Sequence, residues 1–405
     1  MFDPGTVSQN KVRNRMNSLP IDFFRLDNEL TAVQIQLRDQ VRAFVQQVVL
    51  PHINPYWEQA AFPWEIVRQL PTLPVMGGTL TAPGCAALDP ISMGLVRYEL
   101  AKGDGSVGTF YGVQSGLVMG SIGLLGSAEQ QARWLPALAS LDKIGSFGLT
   151  EPERGSDAAH VLTTAVRQGN SYVLNGRKRW IGNAPIADLL IVWAKDENGR
   201  FGGFVVEDPR HTEGVHIETM TGKIAKRAVL NGDIRLENVR IPAANRLEKA
   251  HSFRDTAKVL AFTRYAVAWE AAGLAAACLE QALAYAKSRE QFGQPIAGFQ
   301  LIQEKLVEMT AEVTQMQLLC LRLGQLMALG ELDESMVALA KYNNARKARR
   351  VASLAREVLG GNGILIENHI ARHLTDAEAI YTYEGTNEIN MLIVGRALTG
   401  LGAFV

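Results

Sequence analysis

Cysteine is scarce. Cys85, Cys278 and Cys320 are far apart in 405 residues, which excludes a disulfide framework and a zinc cluster and points to a reducing cytoplasm. Charge of one sign is missing too. Forty-one basic residues balance 41 acidic ones, so no global field recruits nucleic acid or a membrane surface, and function must reside in a local site. No uncharged apolar run is long enough to span a bilayer. The opening MFDPGTVSQNKVRNRMNSLP carries charges but no apolar stretch, so it does not read as a signal peptide. A P-loop lysine, a G-x-G-x-x-G fingerprint, short-period repeats and low-complexity tracts are absent. His160, His369 and His373 lack partners at metal-ligand spacing, so no metal is assigned. No Ser-His-Asp arrangement follows from spacing. What the chain does have is apolar content, 47% of its residues, enough for two or three domains with buried cores.

The patterning falls into three zones, 1–145, 146–245 and 246–405. In the first, LTAVQIQLRDQVRAFVQQVVLPHI predicts an amphipathic helix on Leu30, Val33, Leu37, Val41, Phe44 and Val45, ended by Pro51. ISMGLVRYELAKGDGSVGTFYGVQSGLVMGSIGLLG predicts closely packed buried helices, broken near Gly103–Gly105. Ser127 and Gln130 have the spacing of a capping box. The second zone alternates in short runs separated by Gly-Asn and Asn-Gly turns, the pattern of a small β-sandwich or barrel. The third predicts long antiparallel helices, hence a four-helix bundle, with Gly360-Gly361 terminating one of them. The fold class is therefore α+β and multidomain.

Two stretches can carry chemistry. "FGLTEPERGSD" (Phe147 to Asp157) cannot belong to a regular element, and it lies where helices give way to strands. Its backbone N–H groups and the Thr150 and Ser156 hydroxyls can hold a polar heterocycle and a phosphate; an ordinary solvated connection is the plainer alternative. "YTYEGTNEIN" places Glu384 beside Tyr381 and Tyr383, ahead of an apolar run. An apolar setting raises a carboxyl pKa and suits it to act as general base toward a carbon acid. A surface glutamate favoured by the helix N-terminus remains open as an alternative. Thr386 or Asn387 is placed to cap the following helix. Arg289 in "KSREQFGQPIAGFQ" reads as a solvated loop charge or a phosphate contact. "EVLGGNGI" reads as a helix C-cap or as backbone open to a ligand. By default Trp180 is a packed strand residue, and Arg264 and Arg396 are surface or salt-bridged.

"FGLTEPERGSD", "NGRKRWIGNA", "SREQFGQPIAGFQ", "EVLGGNGI" and "YTYEGTNEI" occur in the order found in the acyl-CoA dehydrogenase family. The resemblance spans about residues 25 to 400 and is closest to the branch of glutaryl-CoA dehydrogenases and short-chain acyl-CoA oxidases. It implies an N-terminal helical domain, a central β-domain and a C-terminal four-helix domain, with FAD extended between them. It also implies a homotetramer, a dimer of dimers in which a second subunit covers part of the FAD. Glu384 matches the base that removes the α-proton of an acyl-CoA thioester, while flavin N5 takes the β-hydride, giving a trans-2-enoyl-CoA. Phe147, Leu149, Thr150 and Ser156 match the loop beside the flavin, with Ser156 also near the substrate. Trp180, Ile181 and Gly182 match the strand backing the flavin. Arg289, Phe292, Gln300, Gly360 and Gly361 match positions reaching the neighbouring subunit's FAD. Thr386 and Glu388 match flavin contacts after the base. Gly385, Arg264 and Arg396 match positions at the substrate, the two arginines near CoA. The thioester oxygen is expected to take hydrogen bonds from the Glu384 backbone N–H and a ribityl hydroxyl.

One departure stands out. The arginine with which glutaryl-CoA dehydrogenases hold a distal carboxylate aligns with Gly108, followed by Thr109, and a supporting glutamate aligns with Ala101. An uncharged acyl chain is expected. The family's other location for the base aligns near Thr263, which cannot serve. An electron-transferring flavoprotein is the expected acceptor partner. The alternatives are an acyl-CoA oxidase, a flavoprotein acting on nitroalkanes or amino sugars, and a relative that binds nucleotide without dehydrogenation.

Overall fold

The structure, a computed structural model, describes residues 22–403, so the reading of the first twenty residues lies outside it. The first predicted helix is α1, Ala32–Phe44, capped by Thr31 and Gln34 in a reciprocal box. A five-residue π-helical stretch extends it to Val49. Leu37, Val41, Phe44 and Val45 are buried as the period requires, but Val33 is 72% exposed, because a first-turn residue here projects past the edge of the core. Asp89 caps α2, Pro90–Gly103. Asp104 then breaks the chain and caps α3, Gly105–Tyr111, which runs into a π-helical stretch at Gly112–Val118. Helix α4, Ala128–Ala139, begins with the predicted Ser127/Gln130 box.

Seven strands follow: β1 (Gly145–Gly148), β2 (Thr164–Gln168), β3 (Ser171–Gly182), β4 (Leu189–Asp196), β5 (Phe201–Glu207), β6 (Val215–Thr219) and β7 (Asn231–Pro242). They form one curled sheet in the order β1-β4-β2-β3-β7-β6, with β5 on the other edge of β4. Strand β4 is nearly all apolar because both its faces are covered. Leu189, Ile191 and Trp193 pack toward the N-terminal helices, while Leu190, Val192 and Ala194 face the inside of the curl. Asn175-Gly176 does not make the expected turn. It lies within β3 as a register shift, where Gly176, at φ +151, passes so close to Thr163 that a side chain would collide.

The C-terminal part contains α5 (Phe253–Ser288), α6 (Gln300–Ala328), α7 (Glu334–Val358), α8 (Ile370–Thr382) and α9 (Asn387–Thr399). The alanine-rich middle of α5 lets other helices approach it closely. Ala271, Ala272, Ala275 and Ala276 are fully buried, and a Cβ on Gly273 would run into the backbone carbonyl of Tyr98 in α2. The N-terminal helices and the bundle are thus packed as one body across α2 and α5. Tyr381 and Thr382 end α8, an element the sequence reading did not foresee, and Tyr383 follows it in extended conformation. Among the described residues no helix is long and apolar enough to cross a membrane, and no group of three potential ligands is placed to hold a metal.

Candidate functional site

Helix α8 ends at Thr382, and Tyr383 leaves it extended. The chain then turns through Glu384 at φ +54 and Gly385 at φ +81. Gly385 takes up that conformation readily; for Glu384 it is strained by about 1–3 kcal/mol, and surrounding contacts must hold it. They do so on the backbone. Lys341 Nζ donates to the carbonyls of Tyr381 (3.1 Å) and Gly385 (2.8 Å). Asn390 Nδ2 also donates to the Gly385 carbonyl (2.9 Å), and Arg264 Nε to that of Glu384 (3.2 Å). Thr386 then caps α9, its Oγ1 accepting from the Ile389 N–H at 3.2 Å.

The Glu384 side chain points inward, where the Thr263 hydroxyl donates to Oε2 at 2.9 Å. Loss of solvent raises its pKa. The hydrogen bond from Thr263 and the positive charges of Arg264 and Lys341 oppose that rise without cancelling it. The two tyrosines do not wrap the carboxyl with their hydroxyls. Tyr381 Oη donates to Glu388 at 3.1 Å and Tyr383 Oη to Glu270 at 2.7 Å. Burial brings Lys341 down to about 8, with the charge of Glu384 acting in the opposite direction.

Residues from all three parts of the chain converge here. Gly116 of the π-helical stretch packs against Thr263, and Val113, less than one turn earlier, packs against Gly182 at the end of β3. The stretch therefore touches both the residue that bonds Glu384 and the strand bearing Trp180, Ile181 and Gly182. Trp180 is not a packed strand residue: it has φ +64 and is 55% exposed, presenting a bare indole face. Ile181 is buried in the curled sheet. Beside this strand runs the loop after β1. Phe147 and Leu149 are buried, Thr150 is partly covered and Ser156 is exposed. The loop is held from beneath by Glu151, whose carboxylate accepts from the N–H groups of Leu162 (2.6 Å) and Thr163 (2.9 Å) and from Lys178 Nζ (2.8 Å). Lys178 is fully buried and also donates to the Leu149 carbonyl at 3.0 Å. Burial lowers its pKa to about 8 against the pull of Glu151.

Arg289, Phe292, Gln300, Gly360 and Gly361 cluster at another place, the end of α5. Asn362 Nδ2 donates to Tyr285 Oη (2.8 Å), tying the glycine loop to that end. Phe292 is 94% exposed, Arg289 and Gln300 are exposed, and a Cβ on Gly360 or Gly361 would meet only open space. These residues thus form a surface remote from the chain's own base, since Tyr285 lies roughly 33 Å along α5 from Thr263 at 1.5 Å per residue. Arg264 is not a surface residue: it is 6% exposed and paired with Glu334 at 3.2 Å. Arg396 is exposed, roughly 14 Å further along α9 at 1.5 Å per residue. Glu388 is exposed, and a backbone hydrogen bond in the first turn of α9 lowers its pKa.

Sequence reasoning missed Thr263, Lys341, Lys178 and Glu151. Thr263 lies 121 residues from Glu384 and Lys341 lies 44 from Gly385, separations at which no periodicity speaks.

Three family models match in succession: the acyl-CoA dehydrogenase N-terminal domain over residues 31–142, the middle domain over 146–239 and the C-terminal domain over 253–399. A probable acyl-CoA dehydrogenase of Bacillus subtilis is 35% identical over 375 residues, covering 91% of this chain and 99% of that protein. A glutaryl-CoA dehydrogenase from Mycobacterium smegmatis superposes with a TM-score of 0.92 at 42% identity, over 95% of this chain and 99% of the other. A second glutaryl-CoA dehydrogenase structure from that organism, in complex with FADH2, gives 0.93 at 38% identity, with the same coverage. The residues here fit such a cofactor, with Trp180 offering a flat aromatic face and the open Gly360-Gly361 backbone leaving room for a polar chain. With a half-buried glutamate of raised pKa at the junction of all three matched domains, the chain belongs to the acyl-CoA dehydrogenase family of FAD-dependent oxidoreductases.

Proposed function

We propose that this enzyme removes the elements of hydrogen from C2 and C3 of an acyl-CoA thioester with an uncharged acyl chain, with Glu384 as the base. The observation that carries this reading is the environment of Glu384. A carboxyl group inside the protein, with a pKa raised by burial and a single hydroxyl on Oε2, is a stronger base toward carbon than a solvated carboxylate. It is also held rigidly enough to do so from one direction. Bound FAD supplies the acceptor for the β-hydride.

The chain's own residues do the rest. The Glu384 backbone N–H would donate to the thioester oxygen, acidifying the α-carbon where negative charge develops. Thr263 keeps Oε2 engaged, leaving Oε1 for the proton. Phe147, Leu149, Thr150, Ser156, Trp180, Ile181, Gly182, Thr386 and Glu388 would hold the cofactor of the same subunit. Arg289, Phe292, Gln300, Gly360 and Gly361 would reach that of a neighbour in a homotetramer. Ser156, Gly385, Arg264 and Arg396 would contact the substrate. An electron-transferring flavoprotein is proposed as the electron acceptor.

The preference for an uncharged chain rests on Gly108 and on Arg97. The Arg97 guanidinium donates to the Gly108 carbonyl at 2.5 Å and to Glu270, also at 2.5 Å. With both terminal nitrogens engaged inside the protein, Arg97 is not free to turn toward a distal carboxylate. Likeness to the two glutaryl-CoA dehydrogenases favours a second reading, in which glutaryl-CoA is the substrate.

Anaerobic bleaching of the flavin by a panel of acyl-CoAs decides between them. Butyryl- or branched short-chain CoA should bleach it faster than glutaryl-CoA; the reverse order selects the second reading. Glu384→Gln should keep FAD and lose about 10²–10⁴ of the bleaching rate, the usual range for a general base. Near-normal bleaching in that variant refutes the assignment. Turnover with an artificial acceptor should exceed peroxide formation in air; rapid peroxide formation makes the enzyme an oxidase.

A further inference from the structure

Behind the base lies a buried ionic group that the reaction above does not use. Glu270, on α5, is 1% exposed, and its carboxylate accepts three hydrogen bonds. They come from Arg97 Nη2 on α2 (2.5 Å), Lys226 Nζ in the loop between β6 and β7 (2.8 Å) and Tyr383 Oη at the end of α8 (2.7 Å). Lys226 is bound further. Its Nζ donates to the Gly105 carbonyl at 3.0 Å, its backbone N–H donates to Asp376 Oδ1 at 2.5 Å, and its ammonium lies 5.8 Å from the centre of the Tyr383 ring. One carboxylate therefore joins the N-terminal helices, the sheet and the bundle, and its third partner is the residue immediately before the base.

That adjacency has a consequence. Glu384 sits in a left-handed conformation that it would not choose alone. Lys341, Arg264 and Asn390 hold the carbonyls on either side of it. The Tyr383 hydroxyl is the side-chain anchor on the other face of the turn. Released from Glu270, the Tyr383 ring can swing, and the peptide bearing Glu384 turns with it.

We propose that Glu270, acting through Tyr383, is a positioning residue for the base: their hydrogen bond fixes the turn so that the Glu384 carboxyl faces the substrate α-carbon, and the aim of the base depends on Arg97 and Lys226 being docked on the same carboxylate. This rests on Glu384 being the base.

The test uses the FAD-loaded enzyme and an acyl-CoA with sulfur in place of the β-carbon, which can exchange its α-protons but has no β-hydride to give. Exchange into D2O, followed by proton NMR and divided by bound flavin, reads the base alone. Tyr383→Phe removes only the hydroxyl and leaves Glu270 with both cations, so it is the milder variant. Glu270→Gln is the second. Both should slow exchange about 10–100-fold at saturating thioester, the loss expected of a misplacement of about 1 Å. In a crystal structure of Tyr383→Phe the contact from Thr263 Oγ1 to Glu384 Oε2, now 2.9 Å, should open beyond hydrogen-bonding distance. Exchange within twofold of wild type per bound flavin in both variants, or an unmoved Thr263–Glu384 contact, overturns the proposal. Failure of the underlying reading looks different, because Glu384→Gln would then exchange as fast as wild type.

Discussion

At Glu384, opposed influences set one carboxyl group. Burial disfavours the anion, while Thr263, Arg264 and Lys341 favour it, and the net result is a raised pKa. A base must be ionised to work, so flavin reduction should rise with pH through that value. Thr263→Val keeps the shape and removes the hydrogen bond that favours the anion. The acid limb of the pH–rate profile should then move to higher pH, and a limb that stays or moves down would contradict the assignment. The same group has a signature in stability. Because its folded pKa is raised, the folded protein holds this proton more tightly than the unfolded chain. The resulting stabilisation is complete below the unfolded value and is lost as pH rises through the folded one. Glutamate between tyrosines and a Gly-Thr-Asn turn was legible in the sequence as a candidate base. Its hydroxyl partner was not, since nothing local marks Thr263 as more than a position unable to supply the base itself.

The loop after β1 shows how an element without regular structure is held. Glu151 gathers two backbone N–H groups and the Lys178 ammonium, and Lys178 is fully buried. Glu151→Ala should strand that ammonium, costing about 3–5 kcal/mol. The expected result is a clear drop in the unfolding temperature with loss of bound FAD. Glu151→Gln, which still accepts hydrogen bonds, should retain more of both. Equal behaviour of the two variants would show that the charge is immaterial. In the sequence this stretch was visible as irregular and polar. That its first acid, Glu151, turns inward to form a buried pair could not be read from a string of Glu, Pro, Glu and Arg. Local signals also failed in β3, where Asn175-Gly176 carries a strong turn signature yet continues the strand, because Thr163 packs against the glycine and the sheet pairs on past it.

On the scale of the whole molecule, the surface at the end of α5 is the feature the single chain does not explain. Glu290–Gln291 and Gln294–Pro295 pair as a short hairpin, β8 and β9, and its turn, Phe292-Gly293, has φ +52 and +79. Phenylalanine is a poor choice for such a turn and is here almost wholly in solvent, its ring edge-on to Phe299 at 6.0 Å. The proposed homotetramer, in which this surface would meet a neighbour's cofactor, would account for it. Light scattering should give a mass near four times the chain's 44.3 kDa, and Phe292→Asp should lower that mass and the flavin content together. A wild-type monomer with full flavin would refute this assembly.

The sequence by itself determined the succession of helices, strands and helices, the caps at Ser127 and Thr386, and the loop and the glutamate proposed to carry the chemistry, because these follow from periodicity and residue type over a few positions. Only the tertiary structure decided which way Trp180 faces, that Arg264 is buried, that Val33 is not, that Thr263 and Lys341 meet Glu384 and its turn, and that Glu270, Arg97 and Lys226 gather at Tyr383. Those facts depend on which distant segments lie against one another when α2, α5 and the sheet pack. A pKa or a left-handed turn is set by neighbours in space, which adjacency along the chain does not encode.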